Sequence, residues 1–258
     1  MRLFIVDAFT DTAFAGNQAG VVLLDAPGDP VWMQSVATEL GYSETAFVER
    51  GDGPKNLRWF TPAIEVDLCG HATLATGHVL GGAQVFHTRG GELRTWTEDG
   101  GWVRMDFPAD PPAPPGEDVT PDVVAAALPG VTVEAVLRGR YDVLVVAADA
   151  AEVRAVRPDL DAVAGIDARA LIVSAAGDKP GIDFVSRVFA PSAGIAEDPV
   201  TGSAHCLLSP YWSARFGCEE LAGEQASARS GIVRVRLNGD RVTLAGQAVT
   251  VVEGELLV

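Results

Sequence analysis

Arg58-Trp59-Phe60-Thr61-Pro62 in the first half of the chain recurs as Arg187-Val188-Phe189-Ala190-Pro191 in the second, 129 positions later in a chain of 258 residues. Eight residues after Pro62 comes Gly70-His71-Ala72, and eleven after Pro191 comes Gly202-Ser203-Ala204, each at the expected start of a helix. The same order of strand, proline, irregular loop, Gly-x-Ala and helix thus occurs twice, the mark of an internal duplication. Around it the pattern is mostly strands. Arg2–Phe9, Val21–Leu24, Thr45–Glu49, Leu57–Thr61, Gln84–Thr88, Glu92–Thr97 and Trp102–Phe107 read as strands in the first half,. Val131–Arg138, Tyr141–Val146, Ala170–Ser174, Asp183–Phe189, Val233–Leu237 and Arg241–Leu244 do so in the second, the last two joined by an Asn238-Gly239 turn,. Helices are expected at Pro30–Leu40, Pro121–Leu128 and Gly202–Phe216,. Many strands with one principal helix per half is an α+β layout, not a βαβ one.

Phe107 to Gly116 carries five prolines and reads as a stiff linker at about 108–117,. It separates an N-terminal domain, 1–107, from a C-terminal one, 118–247. Two copies of one domain related by a pseudo-twofold place a site in the cleft between them.

Composition narrows the function. With 48% hydrophobic and 21% charged residues the chain buries a core and is not disordered,. Its formal charge of −16 repels phosphate backbones, which argues against a nucleic-acid partner,. Apolar runs are strand-length and no secretory signal is visible, so a cytoplasmic protein with no membrane partner is expected,. Three cysteines without a C-x-x-C pair, and four histidines without metal spacing, point to neither a disulfide framework nor a metal site,.

A helix start leaves backbone N–H groups unpaired and carries partial positive charge, and an entry glycine lets a ligand approach. Gly70 and Gly202 facing one cleft would therefore bind a small carboxylate,; either glycine alone could serve only helix–strand packing. Glu44 stands at the entry of the apolar stretch Thr45–Val48, where desolvation raises a carboxyl pKa and suits a general acid/base,. Asp198 precedes the second helix, as a cap or as part of the chemistry,. His71 sits where it can donate to a substrate oxygen,. Cys69, just before a helix start, should have a stabilised thiolate,. Pro199, Val200 and Thr201, the matching positions, hold no cysteine, which disfavours a symmetric two-thiol racemase.

Four ordered blocks also resemble a known family. They are Val6-Asp7-Ala8-Phe9-Thr10 with Gly16-Asn17, Ser43-Glu44-Thr45-Ala46-Phe47-Val48, Arg58–Pro62 with Asp67-Leu68-Cys69-Gly70-His71-Ala72-Thr73, and Glu197-Asp198-Pro199-Val200-Thr201-Gly202-Ser203-Ala204-His205. Together they resemble the PhzF-like phenazine-biosynthesis family, of diaminopimelate-epimerase-like fold. The resemblance implies two domains, each a curved, mostly antiparallel sheet or barrel around a central helix, with a C-terminal strand at about 248–258 returning to the first. It implies an isomerase without cofactor or metal, acting on a small carboxylate-bearing substrate, and a homodimer. Glu44 would move the proton, with His71, Asp198 and Ser203 as catalytic companions. Gly70 and Gly202 would bind substrate, with Asn17 and Ser43 lining the site. Where a common family form has Gly-Asn-Pro, this chain has Gly16-Asn17-Gln18, and Cys69 stands where phenazine-making members often carry Ala. Two other readings compete: a racemase or epimerase using Cys69 with Asp198 or Glu44, and a ligand-binding module without turnover.

Overall fold

A computed structural model describes all 258 residues, Met1–Val258, which form two compact units. The first comprises Met1–Phe107 with Thr243–Val258, and the second Pro108–Val242. No helix is long and apolar enough to cross a membrane.

The first unit runs β1 (Arg2–Ala8), β2 (Asn17–Leu24), α1 (Pro30–Leu40), β3 (Glu44–Glu49), β4 (Lys55–Phe60), β5 (Glu65–Val66), α2 (Gly70–Leu80), β6 (Ala83–Thr88), β7 (Gly91–Thr97) and β8 (Val103–Pro108). Its edge strand is the chain's last, Ala248–Glu255, antiparallel to β1. β1–β2, β3–β4, β4–β5, β6–β7 and β7–β8 pair antiparallel. β2–β3 and β4–β6 are parallel. Residues on both faces of β2 are buried, so its apolar run is unbroken rather than alternating,. Val21 and Leu23 pack in one cluster with Ala72 and Ala75 of α2, whereas Val22 and Leu24 pack with Met33, Val36 and Ala37 of α1. α1 forms where Asp29 accepts from the Val31 N–H and Pro30 opens the first turn, and it stops at Gly41, which adopts φ +70°,. The sheet wraps α2, which touches β1, β2, β3, β6, β7 and the C-terminal strand. All seven residues from His71 to Gly77 are buried.

The second unit repeats the plan. β9 (Val133–Arg138), β10 (Asp142–Ala147), β11 (Ala170–Ala176), β12 (Phe184–Ala190), β13 (Ile195–Asp198), β14 (Glu220–Gln225) and β15 (Gly231–Asn238) follow in chain order. β9–β10, β11–β12, β12–β13 and β14–β15 pair antiparallel, and β10–β11 and β12–β14 parallel, the sequence of senses seen from β1 to β7. α3 (Pro121–Ala127), α4 (Ala150–Ala155) and α5 (Leu160–Ala164) cover one face through Val124, Val153 and Val163. On the other face lies α6 (Gly202–Phe216), whose Trp212 stacks on Phe184 and donates its indole N–H to Ser174 Oγ at 3.0 Å.

The repeated motif now has a physical content. Arg58 of β4 makes a two-pronged pair with Glu65 of β5, at 2.7 and 2.8 Å, and lies over the Phe60 ring. Arg187 of β12 does the same with Glu197 of β13, at 2.7 and 2.9 Å, over Phe189. The chain is thus α+β, two similar units built on one scaffold. The proline-rich stretch, by contrast, is not a free linker. The Ala109 N–H donates to Asp240 O, the Asp110 N–H to Cys206 O, and Ala113 exchanges backbone bonds with Arg138, so the stretch lies along the second unit.

Candidate active site

In the first unit, β3 starts at Glu44, paired in parallel with Ala19 of β2. Asn17 is two residues before Ala19 and fully buried, which puts it on the sheet face that Glu44 shares,. α2 starts at Gly70, and its first turn carries His71 to the same end of that face. His71 Nε2 lies 3.3 Å from Glu44 Oε2 and 3.3 Å from Ser43 Oγ. The Glu44 side chain is only 15% exposed and that of His71 7%. Burial strips water from the Glu44 carboxylate and pushes its pKa above the usual range, and the hydrogen bond from Ser43 opposes this more weakly,. A carboxyl group that holds a proton more readily than usual, beside an imidazole, is equipped to accept and return one.

On the other side of the ring, Cys69 Sγ is 3.6 Å from His71 Nδ1. Donor atoms of Glu44, Cys69 and His71 all lie within 4.8 Å of one another, close enough for a metal ion to be considered. The thiol and the carboxyl meet opposite nitrogens of the imidazole, however. The histidine thus bridges the two groups.

In the second unit, Asp198 ends β13 and α6 opens at Gly202, with Ser203 in its first turn. The residue in the cap position is Thr201, not Asp198. The Thr201 hydroxyl donates to Asp198 Oδ2 at 2.5 Å. Gln225, fully buried at the end of β14, accepts the Thr201 N–H on Oε1 at 2.8 Å and donates from Nε2 to Asp198 O at 2.7 Å. His205 Nδ1 lies 2.8 Å from Thr201 O, and burial drives its pKa down to about 4. Its ring is therefore neutral, with the proton on Nδ1 donated to that carbonyl. Gln225 had no signal in the sequence, because Glu220-Leu221-Ala222-Gly223-Glu224-Gln225 lacks both alternation and β-branched residues,.

Sheet register permits a residue-by-residue comparison of the two units. Thr45 stands opposite Phe60 and Leu171 opposite Phe189, so the counterpart of Glu44 is Ala170. Val66 stands opposite Trp59 and Asp198 opposite Val188, so the counterpart of Asp198 is Val66. At the helix starts Cys69-Gly70-His71 matches Thr201-Gly202-Ser203. The Arg–Glu pair and the entry glycine are shared, whereas the candidate chemical groups are not. Within the units the structure brings Ser43, Glu44 and His71 together in the first, and Asp198 beside the start of α6 in the second.

The family model for phenazine biosynthesis-like proteins (PhzC-PhzF) matches residues 6–254. The chain belongs to this family. A Pseudomonas aeruginosa member named as an uncharacterized isomerase is 47% identical, over 97% of this chain and 96% of its own. One of the same description from Halalkalibacterium halodurans is 42% identical, over 99% and 98%. Among solved structures, a PhzF-family protein from Enterococcus faecalis superposes with a TM-score of 0.93 at 37% identity, covering 100% of this chain and 99% of that one. A structure described as a probable proline racemase, from Agrobacterium radiobacter, shares the fold at a TM-score of 0.65 and 11% identity, covering 100% and 93%. The fold is thus one that PhzF-family proteins share with that racemase-like structure.

Proposed function

We propose that this PhzF-family protein is a cofactor-independent isomerase of a small carboxylic acid, with Glu44 as the single group that takes and returns the proton. The observation that carries this is the buried Glu44 carboxyl, raised in pKa and 3.3 Å from His71. The Glu44 carboxylate removes a proton from an activated carbon, and the electron pair left behind is delocalised toward an electron-withdrawing group of the substrate. His71 and Ser203 donate hydrogen bonds to the oxygen where charge develops. The N–H groups at Gly70 and Gly202 hold the substrate carboxylate, and Asp198 orients it. Protonated Glu44, whose proton exchanges with solvent, then delivers a proton to a second carbon, which restores the carboxylate. Every group this needs is a side chain or backbone amide of the chain itself. The register comparison supports one carrier rather than two, since Ala170 occupies the position matching Glu44.

The competing Cys69-dependent racemase draws on the 3.6 Å approach of Cys69 to His71. The two part in deuterium oxide, with a panel of small dicarboxylic, cyclic and aromatic acids followed by proton NMR. Glu44→Gln should stay folded and lose exchange of the carbon-bound proton with solvent; exchange at the wild-type rate overturns the assignment. Binding of a panel acid without any conversion identifies a binding module instead.

A further inference from the structure

We propose that Thr201 and Gln225 are positioning residues that hold Asp198 as an aimed hydrogen-bond acceptor, an inference that rests on the reading of Asp198 as part of the site. The bonding around them has one consistent direction. Thr201 N–H can only donate, so the atom of Gln225 facing it at 2.8 Å is the amide oxygen,. Asp198 O can only accept, so the atom facing it at 2.7 Å is the amide nitrogen,. The same nitrogen lies 3.2 Å from Thr201 Oγ and donates there too. That leaves the single hydroxyl proton of Thr201 directed at Asp198 Oδ2, 2.5 Å away. An oxygen that receives a hydroxyl proton is acting as an acceptor. Asp198 is thereby held as an orienting group, beside the proton carrier proposed at Glu44.

The surroundings hold the segment still. Ser227 Oγ donates to Pro199 O at 2.8 Å, and His205 holds Thr201 O from within α6. Three side chains from β14, the loop after it and α6 thus fasten Asp198, Pro199 and Thr201.

The first unit shows that the scaffold does not require this. Val185 stands opposite Glu224 and Asn56 opposite His87; Phe184 opposite Gly223 and Lys55 opposite Phe86. The counterpart of Gln225 is therefore Thr88, whose hydroxyl is spent on Gly91 O in its own hairpin. The counterparts of Thr201 and Asp198 are Cys69 and Val66, so none of the three polar partners is repeated. A cluster that only supported the common fold would be expected in both copies.

The test uses the full chain labelled with 13Cγ-aspartate and read at pH 8, the Asp198 signal being the one lost in Asp198→Asn. Thr201→Val should displace that signal and Thr201→Ser should leave it at the wild-type position. Gln225→Leu should displace it as well. An unmoved signal in Thr201→Val overturns the proposal, and so does an equal displacement in Thr201→Ser, which would assign the effect to the methyl group. An unmoved signal in folded Gln225→Leu overturns the role of Gln225. Should Gln225→Leu not fold, the Thr201 pair still decides. For any panel acid that the wild type exchanges with deuterium oxide, Thr201→Val should lower the maximal rate about tenfold with KM within about twofold, as a misaimed rather than missing group does. Failure of the wild type to exchange any acid counts against the proposed function alone, because the carboxyl signal is read without substrate.

Discussion

Removing Arg187 should cost far more stability than removing Arg58, although the two occupy the same place in their units. Arg187→Ala deletes two charge-assisted bonds to Glu197, at 2.7 and 2.9 Å. It also deletes a bond to the buried carbonyl of Val156 at 2.7 Å and the stacking over Phe189. The arginine side chain is 11% exposed and Glu197 23%, so water can repair little of the loss. Breaking a buried pair from one side costs about 3–5 kcal/mol. For a chain of this size that is a fall in Tm of about 6–20 °C. Arg58 is 27% exposed, and its partner Glu65 keeps Arg89 at 2.8 Å, so Arg58→Ala should cost only about 1–2 kcal/mol,. Differential scanning calorimetry of the two variants, with Glu197→Gln and the double variant to complete a cycle, reads both numbers. Arg187→Ala losing no more than Arg58→Ala would refute the reasoning that the scaffold pair in the second unit is the more buried and more heavily bonded one.

Burial of Glu44 makes the native state bind its proton more tightly than the unfolded chain, whose ordinary value is 4.5. The stability this gives is complete below 4.5 and is lost as pH rises through the higher native value,. Glu44→Gln should therefore match the wild type in urea unfolding near pH 4 and exceed it near pH 8, by about 1.4 kcal/mol for each pH unit between the two midpoints. His205 runs the other way. Its native value of about 4 against 6.5 means that stability present above 6.5 is lost as pH falls toward 4, about 3 kcal/mol in all, and His205→Gln should flatten that slope in urea titrations,. Burial also pushes the Cys206 thiol up to about 12, whereas Cys218 is exposed. Alkylation with iodoacetamide at pH 8 followed by peptide mass mapping should mark Cys218 in native protein and Cys206 only after unfolding.

The duplication was legible because an arginine that must reach across to a neighbouring strand, beside a phenylalanine it covers, leaves the same short pattern in both halves. The acidic partners were not, since Glu65 follows its arginine by seven residues and Glu197 by ten. Glu44 could be picked out because the apolar run after it already placed its carboxyl at a dry strand entrance. The helix starts showed themselves through Gly70 and Gly202, the backbone elements that a close approach requires. β14 was illegible for the opposite reason. Nothing in Glu220–Gln225 favours a strand; β12 on one side and β15 on the other impose it, and Gln225 reaches Asp198 only as a consequence,. The prolines after Phe107 suggested a linker because they remove donors. The N–H groups of Ala109, Asp110 and Ala113 between them were enough to tie the stretch down,.

One buried carboxyl, not a thiol, is proposed to carry the proton. Proton NMR in deuterium oxide, with Glu44→Gln and Cys69→Ala run side by side on a panel acid that the wild type exchanges, tests it most directly. Glu44→Gln should abolish exchange while Cys69→Ala retains it. Exchange lost in Cys69→Ala and kept in Glu44→Gln would hand the chemistry to the cysteine.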